Sequence, residues 1–151
     1  MAILAAIDVE HAPGEPLTAA YELATAFDDE LVVINVMRQE TYDDRRHSAN
    51  QLPEEMAEQG YTLEQARQAC ADQVRVAVDE VLDSYDRDRV TPVGAVGDPA
   101  SEVLALAREL EPRFLVTGGR RRAPLEQALF GSVSAEIVRK ARPPVVAVRT
   151  D

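Results

Sequence analysis

The chain is poor in cysteine and has no tryptophan: Cys70 is its single cysteine. One cysteine excludes an internal disulfide and favours a reducing compartment, so we expect a cytoplasmic location. No apolar run approaches the roughly 20 residues that a membrane-spanning helix needs, so no membrane span is predicted. The opening residues, "MAILAAIDVE", carry no basic region and reach an acid at Asp8. They predict a first strand rather than a signal peptide.

Lysine is almost absent. Lys140 is the only lysine among 16 basic residues, which face 27 acidic ones and leave a formal net charge of -11. Such an acidic surface disfavours binding to DNA, RNA and anionic lipid. The acid excess resembles that of proteins from a salt-rich, halophile cytoplasm, where salt screens self-repulsion. A GC-rich genome, which also favours arginine, is the alternative explanation.

The 151 residues are 46% hydrophobic, enough for one domain over residues 1–151 with a continuous core. Short apolar runs alternate with amphipathic stretches, and Pro92 in the third run predicts an edge strand. This alternation predicts an α/β fold with an open five-stranded, mostly parallel sheet and helices on both faces. The predicted strands are Ala2–Ile7, Leu31–Val36, Val90–Val96, residues 113–118 and residues 143–149.

Helix-start signals precede several of the amphipathic stretches. Pro16 suits the first position of the first helix. Thr62 and Gln65 have the spacing of a capping box before a long apolar stripe, and Asp98 is an N-cap candidate for the next helix. Segment 38–61 has no sustained period and is too long for a tight connection, which is typical of mobile or functional loops.

The stretch "GGRRRAPLEQALFGSVS" joins the fourth predicted strand to the last helix. Gly118 ends the strand, where a missing side chain allows a ligand to approach the backbone. Gly131 and Ser132 open the helix, where free amides and the helix dipole favour a phosphate. The alternative is structural: Gly131 would supply a positive φ angle, and Ser132 or Ser134 would cap the helix.

Neither the G-x-G-x-x-G pattern of dinucleotide sites nor the G-x-x-x-x-G-K-[ST] pattern of Walker-type NTPases is present. Instead, the chain resembles the universal stress protein family in "AILAAID", "LVVINV", "VGAVGDPASEVLALARELEPRFLVTGG" and "GSVSAEIVRKARPPVVAVR". ATP-binding members carry a glycine, two residues, a second glycine, nine residues and then Gly-Ser or Gly-Thr. Gly118 and the Gly131–Ser132 pair stand at the family spacing, whereas Arg121 replaces the second glycine.

The resemblance implies an adenine nucleotide alpha hydrolase-like fold and a stress-response protein that binds ATP or AMP in a regulatory role. Magnesium would arrive only with the nucleotide, and hydrolysis would be slow at most, since no general base or dedicated metal cage is recognised. The resemblance also implies a homodimer that pairs through the last strand, from Pro144 to Arg149. A regulatory protein partner remains unidentified.

The resemblance further implies which residues bind the nucleotide. Asp8, after Ile7 at the end of the first strand, would contact the adenosine portion, and the backbone of Val36 would contact adenine. The phosphate and ribose side would be formed by Thr117, Gly118, Gly131, Ser132 and Val133, with Arg120 or Arg121 as a phosphate clamp. The structural alternatives are that Asp8 caps the following turn and Val36 packs in the core.

Arg121 leaves two functions open. An arginine resists the positive φ that glycine adopts and could obstruct the triphosphate, or its planar fork could bind phosphate oxygens. Arg120 to Arg122 could equally be solvated surface residues. If Arg121 obstructs the site, the chain would be a dimeric interaction module that binds no nucleotide. A small-molecule enzyme of the related fold is a third hypothesis, but it needs a catalytic constellation that the sequence does not display.

His11, His47 and Cys70 are scattered without the spacing of metal ligands, so no metal site is predicted. His11 lies near Asp8 and could be a pH-sensitive ligand group, although an exposed turn histidine is favoured. Cys70 falls on the apolar stripe of its helix and is predicted to lie in the core.

Overall fold

The structure, a computed structural model, describes residues 1–50, 61–120 and 131–150. In these residues five strands form one sheet, accompanied by five α-helices and one 3-10 turn. The strands are β1 (Ala2–Ile7), β2 (Glu30–Arg38), β3 (Val90–Gly97), β4 (Phe114–Arg120) and β5 (Val145–Thr150). The helices are α1 (Gly14–Phe27), α2 (Gln39–Asn50), α3 (Leu63–Val81), α4 (Pro99–Leu110) and α5 (Ser132–Lys140), with the 3-10 turn at Arg87–Arg89.

The strand order is β3-β2-β1-β4-β5, and every pair in it is parallel. The predicted α/β fold is therefore confirmed, as is the edge position of the strand that contains Pro92. β1 lies at the centre and is covered on both faces, which is why it reads as an unbroken apolar run. Its residues Ile3, Leu4 and Ala5 are fully buried.

Side chains of alternate strand residues form two core layers. Ile3 and Val33 pack on one face with α1 and α3, while Leu4 and Ile34 pack on the other with α4 and α5. Helices α1, α3, α4 and α5 contribute apolar side chains to these layers, such as Val74 in α3. Helices on both faces of the sheet follow from this division.

The connections leave a natural crevice at one end of the sheet. From β1 the chain winds outward through β2 to β3, and then returns to place β4 on the other side of β1. Connections that leave neighbouring strands in opposite directions separate at the carboxyl ends of those strands, which is where ligands bind in open α/β sheets. The ends of β1 and β4 therefore define the place to look for a site.

Two helix starts match their sequence signals. The Thr62 side chain accepts a hydrogen bond from the Gln65 amide, and the Gln65 side chain accepts one from the Thr62 amide, each at 3.1 Å, so the capping box is confirmed. Asp98 caps α4 by accepting a hydrogen bond from the Ser101 amide at 3.1 Å. The prediction for α1 was wrong: the helix begins at Gly14, and Pro16 is its third residue.

Segment 38–61 is more regular than its sequence indicates. Residues 39–50 form helix α2, while residues 51–60 lie outside the described part. The helix is polar on most sides and has a single deeply buried anchor, Tyr42, which packs with Met37 and Cys70 beneath it. One apolar residue cannot produce a helical period, so the pattern gave no signal.

The fourth strand also differs from its prediction. β4 continues past Gly118 to Arg120, because it remains paired with β5 as far as Arg120 and Thr150. Gly118 therefore lies inside the strand. Residues 121–130, which include Arg121 and Arg122, lie outside the described part.

A buried carboxylate closes the opposite, amino end of the sheet. Asp29 is 4% exposed and accepts a hydrogen bond from Arg113 Nε at 2.7 Å. The amino group of Met1 lies 3.5 Å from its other oxygen. The hydrogen bond and charge of Arg113, with the Met1 amino group, hold the pKa of Asp29 below its usual range despite burial. This cluster joins β1, β2 and β4 far from the crevice.

Among the helices described, none combines the length and the apolar content that a membrane crossing requires.

Candidate functional site

A cleft of about 520 Å³ lies at the carboxyl ends of β1, β2 and β4. Its walls bring together eight of the ten residues that the sequence predicts for a nucleotide site: Ile7, Asp8, Val36, Thr117, Gly118, Gly131, Ser132 and Val133. Of the other two, Arg120 ends β4, but its side chain lies outside the described part, as does the whole of Arg121. Asp8 and Val133, which are 125 positions apart in the chain, thus line one cleft, because parallel strands all end at the same edge of the sheet.

Other walls of the cleft come from residues that the sequence did not predict for the site. Asn35 and Met37 of β2 face Cys70 and Gln73 of α3. Arg38, Thr41 and Arg45 form the rim beside α2, and Pro99 and Val103 line the α4 side. The crossing of α3 over β2 places the first group, and no local sequence motif reports such a crossing.

The start of α5 is an uncapped helix N-terminus on the cleft wall. Gly131 is the N-cap residue, with φ -67°, and no side chain of the described residues caps the helix by accepting a hydrogen bond from the first-turn amides. The alternative in which Gly131 supplies a positive φ, and a serine caps the helix, was therefore wrong. A Cβ built on Gly131 would meet nothing within 4 Å. The arrangement leaves amides and the positive end of the helix dipole available to an anion.

Ser134 fixes this helix start to the sheet. Its hydroxyl donates a hydrogen bond to the Gly118 carbonyl oxygen at 2.5 Å, and its oxygen lies 3.2 Å from Thr117 Oγ1. Because a serine hydroxyl has only one hydrogen, Thr117 must be the donor in the second bond. Thr117 is 3% exposed, so both hydroxyls are held in place between β4 and α5.

Gly118 has a packing role of its own. A Cβ at this position would lie 2.9 Å from Cγ of Pro16, a ring atom that cannot rotate away. The glycine therefore allows the first turn of α1 to approach β4. This contact explains the glycine without any ligand, although Gly118 also lines the cleft.

Asp8 both shapes a turn and lines the cleft. Its Oδ1 accepts a hydrogen bond from the Glu10 amide at 3.0 Å, and its Oδ2 lies 2.6 Å from Nδ1 of His11. The turn-capping alternative is thus seen directly, and it coexists with a place in the cleft wall. Asp8, Glu10 and His11 bring one ligand atom each within 4.8 Å of one another, a grouping that the sequence did not predict; all three are exposed.

Two groups beside the cleft have shifted pKa values. Burial raises the pKa of the Cys70 thiol, against smaller opposing effects of a backbone hydrogen bond at Met37 and the charge of Arg45. Cys70 is 1% exposed, which confirms its place in the core. Hydrogen bonds from the Ser101 hydroxyl and amide, helped by the charge of Arg38, lower the pKa of Asp98. Arg45 and Arg38, both at the rim, thus each make a smaller contribution to one of these two pKa values.

Known proteins are similar to this chain in both sequence pattern and fold. The model of the universal stress protein family matches residues 1–149. Among solved structures, that of the hypothetical protein MJ0577 is 19% identical, with a TM-score of 0.68, and the match covers 99% of this chain and 96% of that one. The universal stress protein UspA from Lactobacillus plantarum is 17% identical, with a TM-score of 0.68 and coverage of 99% and 97%.

A universal stress protein in complex with cAMP is also similar, at 17% identity and a TM-score of 0.60, with 100% of this chain and 98% of that chain covered. No curated protein sequence matches with significance. Structural likeness at such identities establishes the fold, whereas the family model covers nearly the whole sequence. The chain belongs to the universal stress protein family.

Proposed function

We propose that the protein binds an adenine nucleotide, ATP or AMP, in the cleft and acts as a regulatory stress-response protein. The observation that carries this proposal is the uncapped start of α5 at Gly131 and Ser132, which opens onto a cleft of nucleotide size. A related universal stress protein has been solved in complex with cAMP, an adenine nucleotide, which supports the ligand class.

The phosphates would lie at the α5 end of the cleft. The amides at the helix start and the Ser132 hydroxyl would donate hydrogen bonds to phosphate oxygens, and the helix dipole would favour their charge. Gly131 leaves room there, because among the described residues no atom beyond its chain neighbours lies within 4 Å of the Cβ position. Thr117, Gly118 and Val133 would complete the wall on the ribose and phosphate side.

The adenosine would lie at the other end, against β1 and β2. The Asp8 carboxylate, next to Ile7 in the chain, can accept hydrogen bonds from ribose hydroxyls. Val36 would contact adenine through its backbone. The described carboxylates in the cleft wall are Asp8 and Glu10, and neither belongs to α5 or β4. Magnesium would therefore be held mainly by the triphosphate, with the Ser132 hydroxyl as a candidate ligand.

Arg121 determines which of two versions of the function holds. With Arg120 it would clamp the terminal phosphates through planar guanidinium groups. In the alternative, Arg121 obstructs the phosphates, and the protein is a dimeric interaction module that binds no nucleotide. The observation that favours this alternative is the replacement of the second motif glycine by arginine.

We also propose a homodimer that pairs through β5, from Pro144 to Arg149. β5 is an edge strand, and Val146 and Val148 are only half-buried on it. A second copy would cover this edge and continue the sheet across a two-fold axis. The dimer would present two clefts to a regulatory protein partner.

Equilibrium titration of the purified protein with ATP and AMP, in buffers of high and low salt, tests the nucleotide proposal. Binding at micromolar concentration, or a nucleotide identified by mass spectrometry after purification, would support it. Absence of binding up to millimolar nucleotide would refute it.

Variants at the arginines separate the two versions. Tighter binding of ATP by Arg121→Gly would show that the arginine obstructs the site. If Arg121→Ala or Arg120→Ala instead loses ATP but keeps AMP, the arginine serves as a phosphate clamp. Phosphate release during the same incubations would measure turnover, which we expect to be slow or absent.

A further inference from the structure

Asn35 is a buried amide that is only half satisfied. It lies in β2 opposite Ile7 of β1 and is 6% exposed. Its Nδ2 donates a hydrogen bond to Gln73 Oε1 at 3.3 Å, but its Oδ1 accepts none from any described residue. The other buried polar residues, Asp29 and Thr117, are both paired. Among the described residues only Arg75 Nη1 is an enclosed side-chain atom without a partner, so Asn35 Oδ1 is open to the cleft and can accept a hydrogen bond from a ligand.

A partner for this oxygen would come from the cleft, because both Asn35 and Gln73 line it. Met37 and Cys70 also line the cleft, so the two amides have apolar neighbours in its wall. Gln73 Nε2 likewise donates to no described acceptor. The pair thus offers one unpaired acceptor and one unpaired donor to the cleft. If the oxygen and nitrogen of both amides are exchanged, the donor and acceptor roles are exchanged too, and one acceptor and one donor are still unpaired.

We propose that Asn35 and Gln73 recognise the base of the bound nucleotide through its adjacent donor and acceptor. This inference rests on the proposed function. Adenine carries such a pair, because its 6-amino group donates beside a ring nitrogen that accepts, and side-chain amides bind that edge well. Asn35 Oδ1 would accept from the 6-amino group, and Gln73 Nε2 would donate to the ring nitrogen.

The position of the amides suits a base and not a phosphate. Asn35 and Gln73 are neutral, whereas phosphate sites use amides at helix starts or cationic side chains. Asn35 belongs to β2 and the α5 start follows β4, with β1 between them. Two strand spacings amount to about 10 Å, the scale on which a nucleotide separates its base from its phosphates. The base would therefore lie by α3 while the phosphates lie by α5.

The test compares two ligands that differ in the donor alone: ATP and the triphosphate of purine riboside, which lacks the 6-amino group. Titration calorimetry would measure both with the unaltered protein, Asn35→Leu, Gln73→Met and the control Gln68→Met. Gln68 lies on the same helix, is exposed, and donates to Asp72 at 2.9 Å outside the cleft. We expect the unaltered protein and the control to prefer ATP about tenfold.

Asn35→Leu and Gln73→Met should each bind ATP about five- to tenfold more weakly and lose most of that preference. If the variants lose affinity for both ligands equally, or still prefer ATP as the unaltered protein does, the amide pair does not recognise the base and the proposal is wrong. Nucleotide binding itself would not be contradicted by that result. If the unaltered protein binds neither ligand, the proposed function fails first. Should Asn35→Leu fold poorly, the exposed Gln73→Met decides the question alone.

Discussion

The hydroxyl of Ser134, in the first turn of α5, donates a hydrogen bond to the Gly118 carbonyl oxygen across 2.5 Å. This bond, with the one that Thr117 donates to the same hydroxyl across 3.2 Å, connects the strand and the helix start that together form the phosphate end of the proposed site. Ser134 therefore helps to orient the α5 start against the sheet, beside the apolar packing of Ile137. The position of the anion-binding amides therefore depends on a serine that need not touch the ligand.

We predict that Ser134→Ala weakens ATP binding about three- to tenfold and lowers the free energy of unfolding by about 1–2 kcal/mol, because it removes two hydrogen bonds, one of them from the buried Thr117 hydroxyl. Calorimetric titration and urea denaturation would measure the two effects. Thr18→Ala is the matched control, since the Thr18 hydroxyl donates to the Gly14 carbonyl within α1 and lies outside the cleft. Equal ATP affinity in Ser134→Ala and the control would show that this bond does not position the site.

Two glycines of the family motif should respond differently to alanine. Gly131 has an ordinary φ and open space around its Cβ position, so Gly131→Ala should leave stability within about 0.5–1 kcal/mol but weaken ATP binding about tenfold by filling the phosphate space. In Gly118→Ala the new Cβ would press on the Pro16 ring, so this variant should lose about 1–3 kcal/mol of stability. Urea denaturation with ATP titration separates the two. Unchanged ATP affinity in Gly131→Ala would remove the phosphates from that position.

The sequence predicts five strands in a mostly parallel sheet, because buried parallel strands are apolar runs. The eight cleft residues come instead from the resemblance to the family, in which Gly118, Gly131 and Ser132 stand at fixed spacings. The predictions about Pro16 and the end of β4 were wrong by a few residues at element boundaries. Pairing with β5 extends β4 beyond Gly118, and Pro16 packs on Gly118 from within the first turn of α1.

Asn35 and Gln73 could not be found in this way. They lie 38 positions apart, one within an apolar strand and one on the outer part of a helix. Their meeting depends on how α3 crosses β2, which no periodicity encodes. Helix α2 was missed for a related reason, since Tyr42 alone packs deeply and a polar helix with one anchor has no apolar stripe.

Protonation of Asp29 should contribute to the unfolding of the protein in acid. The pKa of this carboxyl is lowered in the folded state, so folding is favoured while it is ionised, and this contribution is lost as the pH falls below its ordinary value of 3.8. Asp29→Asn should therefore be less stable than the unaltered protein at pH 7 and show a shallower loss of Tm between pH 5 and pH 2. Scanning calorimetry over this range would measure both slopes. Asp28→Asn, at a carboxyl that is 91% exposed, is the control, and matching slopes in all three proteins would contradict the role given to Asp29.

The edge of β5 offers a clean test of the proposed dimer. The Leu115 amide donates to the Pro144 carbonyl at 2.9 Å, so by the alternation of a parallel ladder the amides of Val146 and Val148 also face β4, and that of Ala147 faces the open edge. Ala147→Pro removes an outward N–H without breaking the ladder, and proline is tolerated at such positions. We expect this variant to keep its helical circular dichroism but to become monomeric in sedimentation equilibrium, whereas Ala147→Ser remains dimeric. A dimer that survives Ala147→Pro would mean that the copies pair through another surface.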